Sequence, residues 1–273
     1  MGIITLTTDF GADDGYVAAM KGVILSINPE ARLVDVCHTV PAQAIGQAAY
    51  IIATTFPYFP PGTVHLVVVD PGVGTDRRAV ILRTPRADFV APDNGVLTGV
   101  LQDFLAASLP ADGTSVNLSP PLQAVALTRP EFRREPVSAT FHGRDVFAPA
   151  AAHLSRGTPL EDFGETLPEL TVLPGWRPRR EPDGTLAGQV RHIDRFGNII
   201  TSVRTTDLPP DYRKISVRIG ETTVIGLTRT YGEGRGLMVL PGSSGYLEIA
   251  FRDGDAGHHL KAAVGDEVTV KTE

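Results

Sequence analysis

Asp70, Arg77, Arg78 and His142 are the residues whose types and spacing could do acid–base chemistry. Asp70 ends the apolar run VHLVVVD, and the turn PGVGTDRR that follows brings two guanidinium groups within seven and eight residues of it. An Arg that pairs with such a carboxylate fixes its charge balance, and a His nearby can relay a proton. His142 lies in SATFHGRDVFAPAAAHL, where Phe147, Ala151 and Leu154 form a helical apolar stripe and Asp145 falls in the first turn. That places the imidazole at the entry to a helix, where it can face a pocket. The glycines of PGVG also invite a phosphate-cradle interpretation. The chain lacks GxxxxGK[ST] and GxGxxG there, and TDRRAVILR runs into a strand, so no helix N-terminus is available to hold an anion. One of the two adjacent arginines is expected to be a solvated surface charge.

Positioning these groups requires an open sheet, since ligands of such sheets bind beyond the carboxyl ends of the strands. IITLT (3–7) reads as a first strand ending at Asp9. A helix capped by Asp13 or Asp14 follows, with Val17, Met20, Ile24 and Ile27 on its apolar face and Asn28-Pro29 as its stop. RLVDVC is a second strand, 42–56 a second and buried helix, and VHLVVVD a third strand apolar enough to be covered on both faces. Strands at AVILRT and DFVAP, a helix from about 96 to 105 and another from about 145 to 154 complete an α/β N-terminal domain, 1–176. Its central, largely parallel sheet is flanked by helices. LPGWRPRREPDG has the Pro, Gly and charge content of a linker, set at 177–183. GQVRHID, IITSV, KISVRI, LMVLP, YLEIAF and EVTVK then read as short strands of an all-β C-terminal barrel domain, 184–273.

Composition narrows the function. Net charge is -6, which gives no general attraction to nucleic acid or anionic membrane. No stretch approaches the roughly eighteen uninterrupted apolar residues of a membrane-spanning helix. The start, MGIITLTTDF, lacks the pattern of a secretory signal, and a single cysteine, Cys37, excludes an internal disulfide framework and multi-cysteine zinc sites. A cytoplasmic protein is expected, and no metal site is expected among the histidines. FVAPDNG with Asn94, IDRFGNI with Asp194 and Asn198, and GSSGYLEIA with Ser243 each read as ordinary turn signatures when taken alone.

In chain order, TTDFG, VDPGVGTDRR, APDNG, TFHGRD, IDRFGN and SSGYLEIA resemble the S-adenosylmethionine (SAM) hydroxide adenosyltransferase family, which is related to SAM-dependent fluorinases and chlorinases. The resemblance covers Asp9 to Phe251. It implies hydrolysis of SAM to adenosine and L-methionine, with SAM as substrate and no cofactor. It also implies a homotrimer in which SAM lies between one subunit's N-terminal domain and its neighbour's C-terminal domain. The family's Asp-Arg-His catalytic set corresponds to Asp70, Arg77 and His142, with Arg78 adjacent enough for the two arginines to exchange roles. Asp9 would bind ribose hydroxyls, Asn94 would serve the nucleoside side, Asp194 and Asn198 the methionine amino end, and Ser243 its carboxylate. One departure is Gly242-Ser243-Ser244, where the family pattern has an Asn before the serine and a Phe after it.

Attack at ribose C5′ expels neutral methionine from a sulfonium, so the enzyme's task is to place water in line and remove its proton. The rivals are a SAM halogenase, disfavoured because Asp70 would repel a halide, and a sensor that binds SAM without turnover, which has no need of the Asp-Arg-His set.

Overall fold

Strand β1 (Ile3–Thr8) is an inner strand of the first sheet, and its Ile4 and Leu6 are fully buried. The structure is a computed structural model in which residues 2–105, 109, 114–209 and 215–272 are described. The chain divides into two compact units, Met1–Leu173 and Pro174–Glu273.

In the first unit, β1 is followed by α1 (Tyr16–Ile27), β2 (Arg32–Cys37), α2 (Ile45–Thr55), β3 (Thr63–Val68), β4 (Ala79–Arg83), β5 (Ala87–Pro92) and α3 (Thr98–Phe104). β6 (Ser115–Asn117), β7 (Gln123–Ala126), α4 (Ala148–Ser155) and β8 (Glu169–Thr171) complete it. The sheet order is β2-β1-β3-β5-β4-β7. β1 is parallel to β2 and β3, and β3 to β5, whereas β4 is antiparallel to β5 and β7. Every residue of β3 is buried, as expected of a strand covered on both faces. Alternation assigns the two faces. Ile4, Leu6, Val64, Leu66 and Val68 join Met20 and Ile24 of α1 and Ala148, Ala151 and Leu154 of α4 in one core. His65 points the other way, with its ring against Phe56, Phe59 and Phe89, its Nδ1 2.7 Å from Thr5 Oγ1 and its Nε2 without a partner.

Several boundaries differ from the sequence-based expectation. α1 begins at Tyr16 with Gly15 as its N-cap, and neither Asp13 nor Asp14 caps it, both being exposed. α2 starts at Ile45 rather than 42 because Gln43 has φ +65°. The expected 145–154 helix opens as a π turn, Gly143–Phe147, before α4. β6 and β8, a separate ribbon, and β7 were not anticipated.

The second unit contains β9 (Arg179–Arg180), β10 (Leu186–Ile193), β11 (Ile199–Arg204), β12 (Ile215–Ile219), β13 (Thr222–Ile225), β14 (Leu237–Pro241), β15 (Tyr246–Phe251), α5 (Ala256–Leu260) and β16 (Glu267–Thr272). One sheet follows the path β13-β12-β16-β10-β11-β15-β14, with β9 pairing β10. All the pairings are antiparallel. The ends of the path approach each other where Thr228 N–H donates to Val239 O at 2.9 Å, giving a nearly closed barrel around Val190, Ile199, Val217, Ile249 and Val268. This near-closure shields the edges that an open antiparallel sheet would present. The sequence reading missed β9, β13 and α5, which Asp255 caps by accepting from His258 N–H.

Candidate functional site

Asp70 lies two residues beyond the end of β3 and Asp9 directly beyond β1, so both carboxylates stand at the carboxyl ends of neighbouring parallel strands. They line a cavity of about 410 Å³ together with His142, Phe10, Tyr16, Gln43 and Phe141. The turn after Asp70 is closed by Val73 N–H to Asp70 O and Thr75 N–H to Gly72 O. It returns Arg77 to Asp70. Arg77 Nε donates to Oδ1 and Oδ2 at 2.9 and 3.0 Å, and Nη2 donates to Oδ2 at 2.5 Å, a fork-on-carboxylate geometry that fixes both orientation and charge. The pair is nearly buried, with side-chain exposures of 10% for Arg77 and 5% for Asp70. The guanidinium also stacks 5.1 Å from the Phe147 ring centroid.

His142 arrives from the segment before the π turn and accepts from Arg77 Nη2 at its Nδ1, 2.7 Å away. Guanidinium has only donors, so Nδ1 must carry the lone pair and Nε2 the proton. Burial, and next the charge of Arg77, push the His142 pKa below its ordinary value, so the ring is neutral at pH 7. Two local features hold it there. Gly74 has φ +78°, and a Cβ on it would lie 2.6 Å from Ala139 O, so only glycine lets the turn approach the His142 segment this closely. Asp145, fully buried, accepts from Arg144 Nε at 2.7 Å and from Ser138 N–H at 2.9 Å. Burial opposes the ionisation of Asp145, but these bonds outweigh it and lower its pKa.

Geometry shows which of the two arginines meets Asp70. Arg78 faces away from Asp70 and holds Asp93 instead, with Nε and Nη2 at 2.8 and 2.5 Å from Oδ2. Neither arginine is therefore an unpaired surface charge, because the residue after β5 supplies Arg78 with its own carboxylate. Asn94 does not join the cavity group. Its Nδ2 donates to Val69 O at 2.9 Å and its Oδ1 accepts from Val96 N–H, so the side chain straps two strand ends together. His153 is half-buried, with its ring 5.2 Å from Phe132.

In the second unit, Asp194, Asn198 and Ser243 line a separate cavity of about 680 Å³, together with Phe196, Tyr231, Glu248 and Arg252. Asp194 Oδ1 accepts from the N–H groups of Phe196 and Asn198 at 2.8 and 2.9 Å, and Oδ2 from Asn198 Nδ2 at 3.0 Å. Gly197 has φ +81°, and a Cβ there would collide with Asp255 at 2.1 Å, so the IDRFGN turn depends on glycine. Phe196 is 77% exposed beside the carboxylate. Glu248, nearly buried, accepts from the Tyr231 hydroxyl, and burial raises its pKa. Phe10 and Phe141 flank Asp9 and His142 within motifs the sequence reading used. Gln43, Tyr231, Glu248 and Arg252 carried no separate sequence signal. Among the described residues no group of three or more His, Cys, Asp or Glu could hold a metal ion.

A strand-end carboxylate, a guanidinium fork and a neutral imidazole converge on a cavity of the α/β unit, and the chain adds a nearly closed β unit with a polar cavity of its own. This is the layout of a two-unit α/β and all-β enzyme that acts on a small molecule. The sequence pattern of the SAM hydroxide adenosyltransferase N-terminal domain matches residues 4–164, and that of its C-terminal domain matches residues 188–269. The chain belongs to the SAM hydroxide adenosyltransferase family. It is similar to an (R)-S-adenosyl-L-methionine hydrolase of Salinispora arenicola, with 38% identity over 98% of this chain and 97% of the relative. It is also similar to a fluorinase of Nocardia brasiliensis, at 29% identity over 98% of this chain and 96% of that one. The crystal structure of a conserved protein from Thermotoga maritima superposes with a TM-score of 0.84 at 36% identity, covering 98% of this chain and 99% of that one.

Proposed function

We propose that the protein hydrolyses SAM to adenosine and L-methionine by attack of water at ribose C5′. The observation that carries this is the hydrogen-bonded run Asp70–Arg77–His142 on the cavity of the first unit. The leaving group is a neutral thioether expelled from a sulfonium, so the reaction as written needs no metal or cofactor. The chemical demand is on the water. With Nδ1 of His142 occupied by Arg77, its Nε2–H is a donor, suited to hold the water oxygen. The carboxylate of Asp70 keeps unused lone pairs beyond those given to Arg77 and is suited to accept the water's proton as the C5′–O bond forms. Arg77 then holds base and orienting group in one frame, and such positioning with general-base help is worth about 10²–10⁴ in rate.

Asp9 serves the ribose hydroxyls, Asp194 and Asn198 the α-ammonium of the methionine part, and Ser243 its carboxylate. Asn94 acts on the nucleoside side only indirectly, by holding Val69 next to Asp70. Each unit bears one polar cavity, and in a homotrimer one subunit's first unit would meet its neighbour's second unit around SAM. Among the described residues no helix is long and apolar enough to cross a membrane. With this and the net negative charge, our assignment extends to a cytoplasmic protein without nucleic-acid or membrane partners.

Purified protein incubated with SAM should release adenosine and methionine in equal amounts, followed by chromatography, with oxygen from labelled water appearing at C5′ of adenosine. SAM bound but recovered intact would overturn the assignment in favour of a sensor. A halogenated nucleoside formed in halide buffer would overturn it in favour of a halogenase.

A further inference from the structure

The turn that presents Asp9 to the cavity is tied on both sides by one residue outside it, His38. Gly11 N–H donates to His38 O at 2.7 Å. The His38 ring reaches back to the residue before Asp9, with Nδ1 2.9 Å from Thr8 Oγ1, and Phe10 N–H donates to the same Thr8 oxygen at 3.3 Å. The other ring nitrogen, Nε2, lies 2.9 Å from Asp35 Oδ1, and Lys21 Nζ donates to Asp35 Oδ2 at 2.6 Å. An ionised carboxylate only accepts, so Nε2 carries a proton; in the neutral ring Nδ1 then accepts the Thr8 hydroxyl proton, and the Thr8 oxygen is left to take Phe10 N–H. Donation therefore runs from Phe10 through Thr8 and His38 to Asp35, where Lys21 donates from the other side, and every link of the run is satisfied.

Backbone irregularity makes this reach possible. Leu6 pairs with Asp35 but Thr7 pairs with Cys37, so β2 slips one residue against β1 just before His38. On the far side of the cavity rim, Gln43 adopts φ +65° and donates its N–H to Asp9 Oδ2 at 2.9 Å. A non-glycine residue in that region costs energy, and such outliers gather where surrounding contacts over-determine a functional geometry.

We propose that His38 is a positioning residue for the substrate's ribose. By holding residues 8, 10 and 11 it fixes the direction in which the Asp9 carboxylate enters the cavity, leaving to Asp70 and His142 the chemistry at C5′. The proposal rests on the assignment of Asp9 to the ribose hydroxyls. His38 does not line the cavity, so it acts through Asp9 and has no contact of its own with substrate.

A double-mutant cycle on SAM hydrolysis tests it. His38→Ala should raise KM by about five- to tenfold, the value of one well-placed hydrogen bond, with kcat changed less than twofold. In an Asp9→Ala background the same change should have no further effect on KM. His38→Asn, whose amide oxygen can still accept the Thr8 hydroxyl, should restore most of the loss. Thr8→Val, which deletes the link without touching His38, should reproduce the cycle and serves if His38→Ala does not fold. Equal KM effects in both backgrounds, or an unchanged KM in a variant that melts like the parent, would overturn the proposal. An Asp9→Ala protein with the parent's KM would instead overturn the ribose assignment beneath it.

Discussion

The two cavities hold Asp70 and Asp194 in opposite ways. In the first unit Asp70 is matched by a full positive charge, gripped in a fork by Arg77, and the guanidinium passes a further hydrogen bond to His142. In the second unit Asp194 is held by two backbone N–H groups and an amide, and Glu248 by a phenol. Those neutral donors orient a carboxylate without cancelling its charge. Burial, and next the Tyr231 bond and the field of Asp194, act on Glu248, with the net result that it is harder to ionise than usual. The difference separates two tasks. A cluster balanced within itself keeps its geometry whatever is bound, which suits a reacting centre; carboxylates left uncancelled gain most when a cationic group arrives, which suits binding.

The largest effect that would break this contrast is at Asp70. Asp70→Asn should lower kcat by about 10²–10⁴ while SAM still binds, because an amide cannot take the water's proton. Adenosine release under single-turnover conditions measures it, and a kcat near that of the parent would remove Asp70 from the chemistry. Asp194→Ala should do the reverse, raising KM about 10- to 100-fold with kcat nearly intact, since under the proposed assignment it deletes a charge that would grip the substrate in ground and transition states alike. A kcat loss as large as that of Asp70→Asn would erase the distinction between the cavities.

A third test concerns stability and the sheet beneath the first cavity. His65, buried among phenylalanines, has its pKa lowered to about 4 by burial. Its folded value is depressed, so the unfolded chain binds the proton more readily. The stabilising contribution is complete above about pH 6.5 and is lost as pH falls toward 4, on the order of 3 kcal/mol in all. Thermal melts over that range should show the loss, and His65→Phe should flatten it. A pH dependence unaltered by His65→Phe would assign the acid sensitivity elsewhere.

Much of this was legible in the sequence because it is local. The run 64–69 reads as a covered strand, and its polar successor Asp70 then stands at a strand end. The assembly of Asp70 with Arg77 and His142 was legible only in part. Spacing alone could not choose between Arg77 and Arg78; that choice depends on Asp93, which emerges from β5 to claim the second arginine. Asn94 shows a different limit, since an Asn-Gly turn reads the same whether or not its amide bonds a backbone carbonyl, as Asn94 does with Val69. Asp13 and Asp14 are good capping types, yet α1 starts beyond them. The left-handed Gln43 had no local signal at all, because its conformation is held by tertiary partners, Asp9 among them.

Gly74 carries a consequence for anyone randomising this protein. It does not line the cavity, yet any side chain there must displace Ala139 and with it the approach of His142 to Arg77. In a deep mutational scan, position 74 should therefore score as intolerant as Asp70, Arg77 and His142. Libraries that vary the 138–142 segment to change specificity will find their accessible variants limited by a residue more than sixty positions away in the chain.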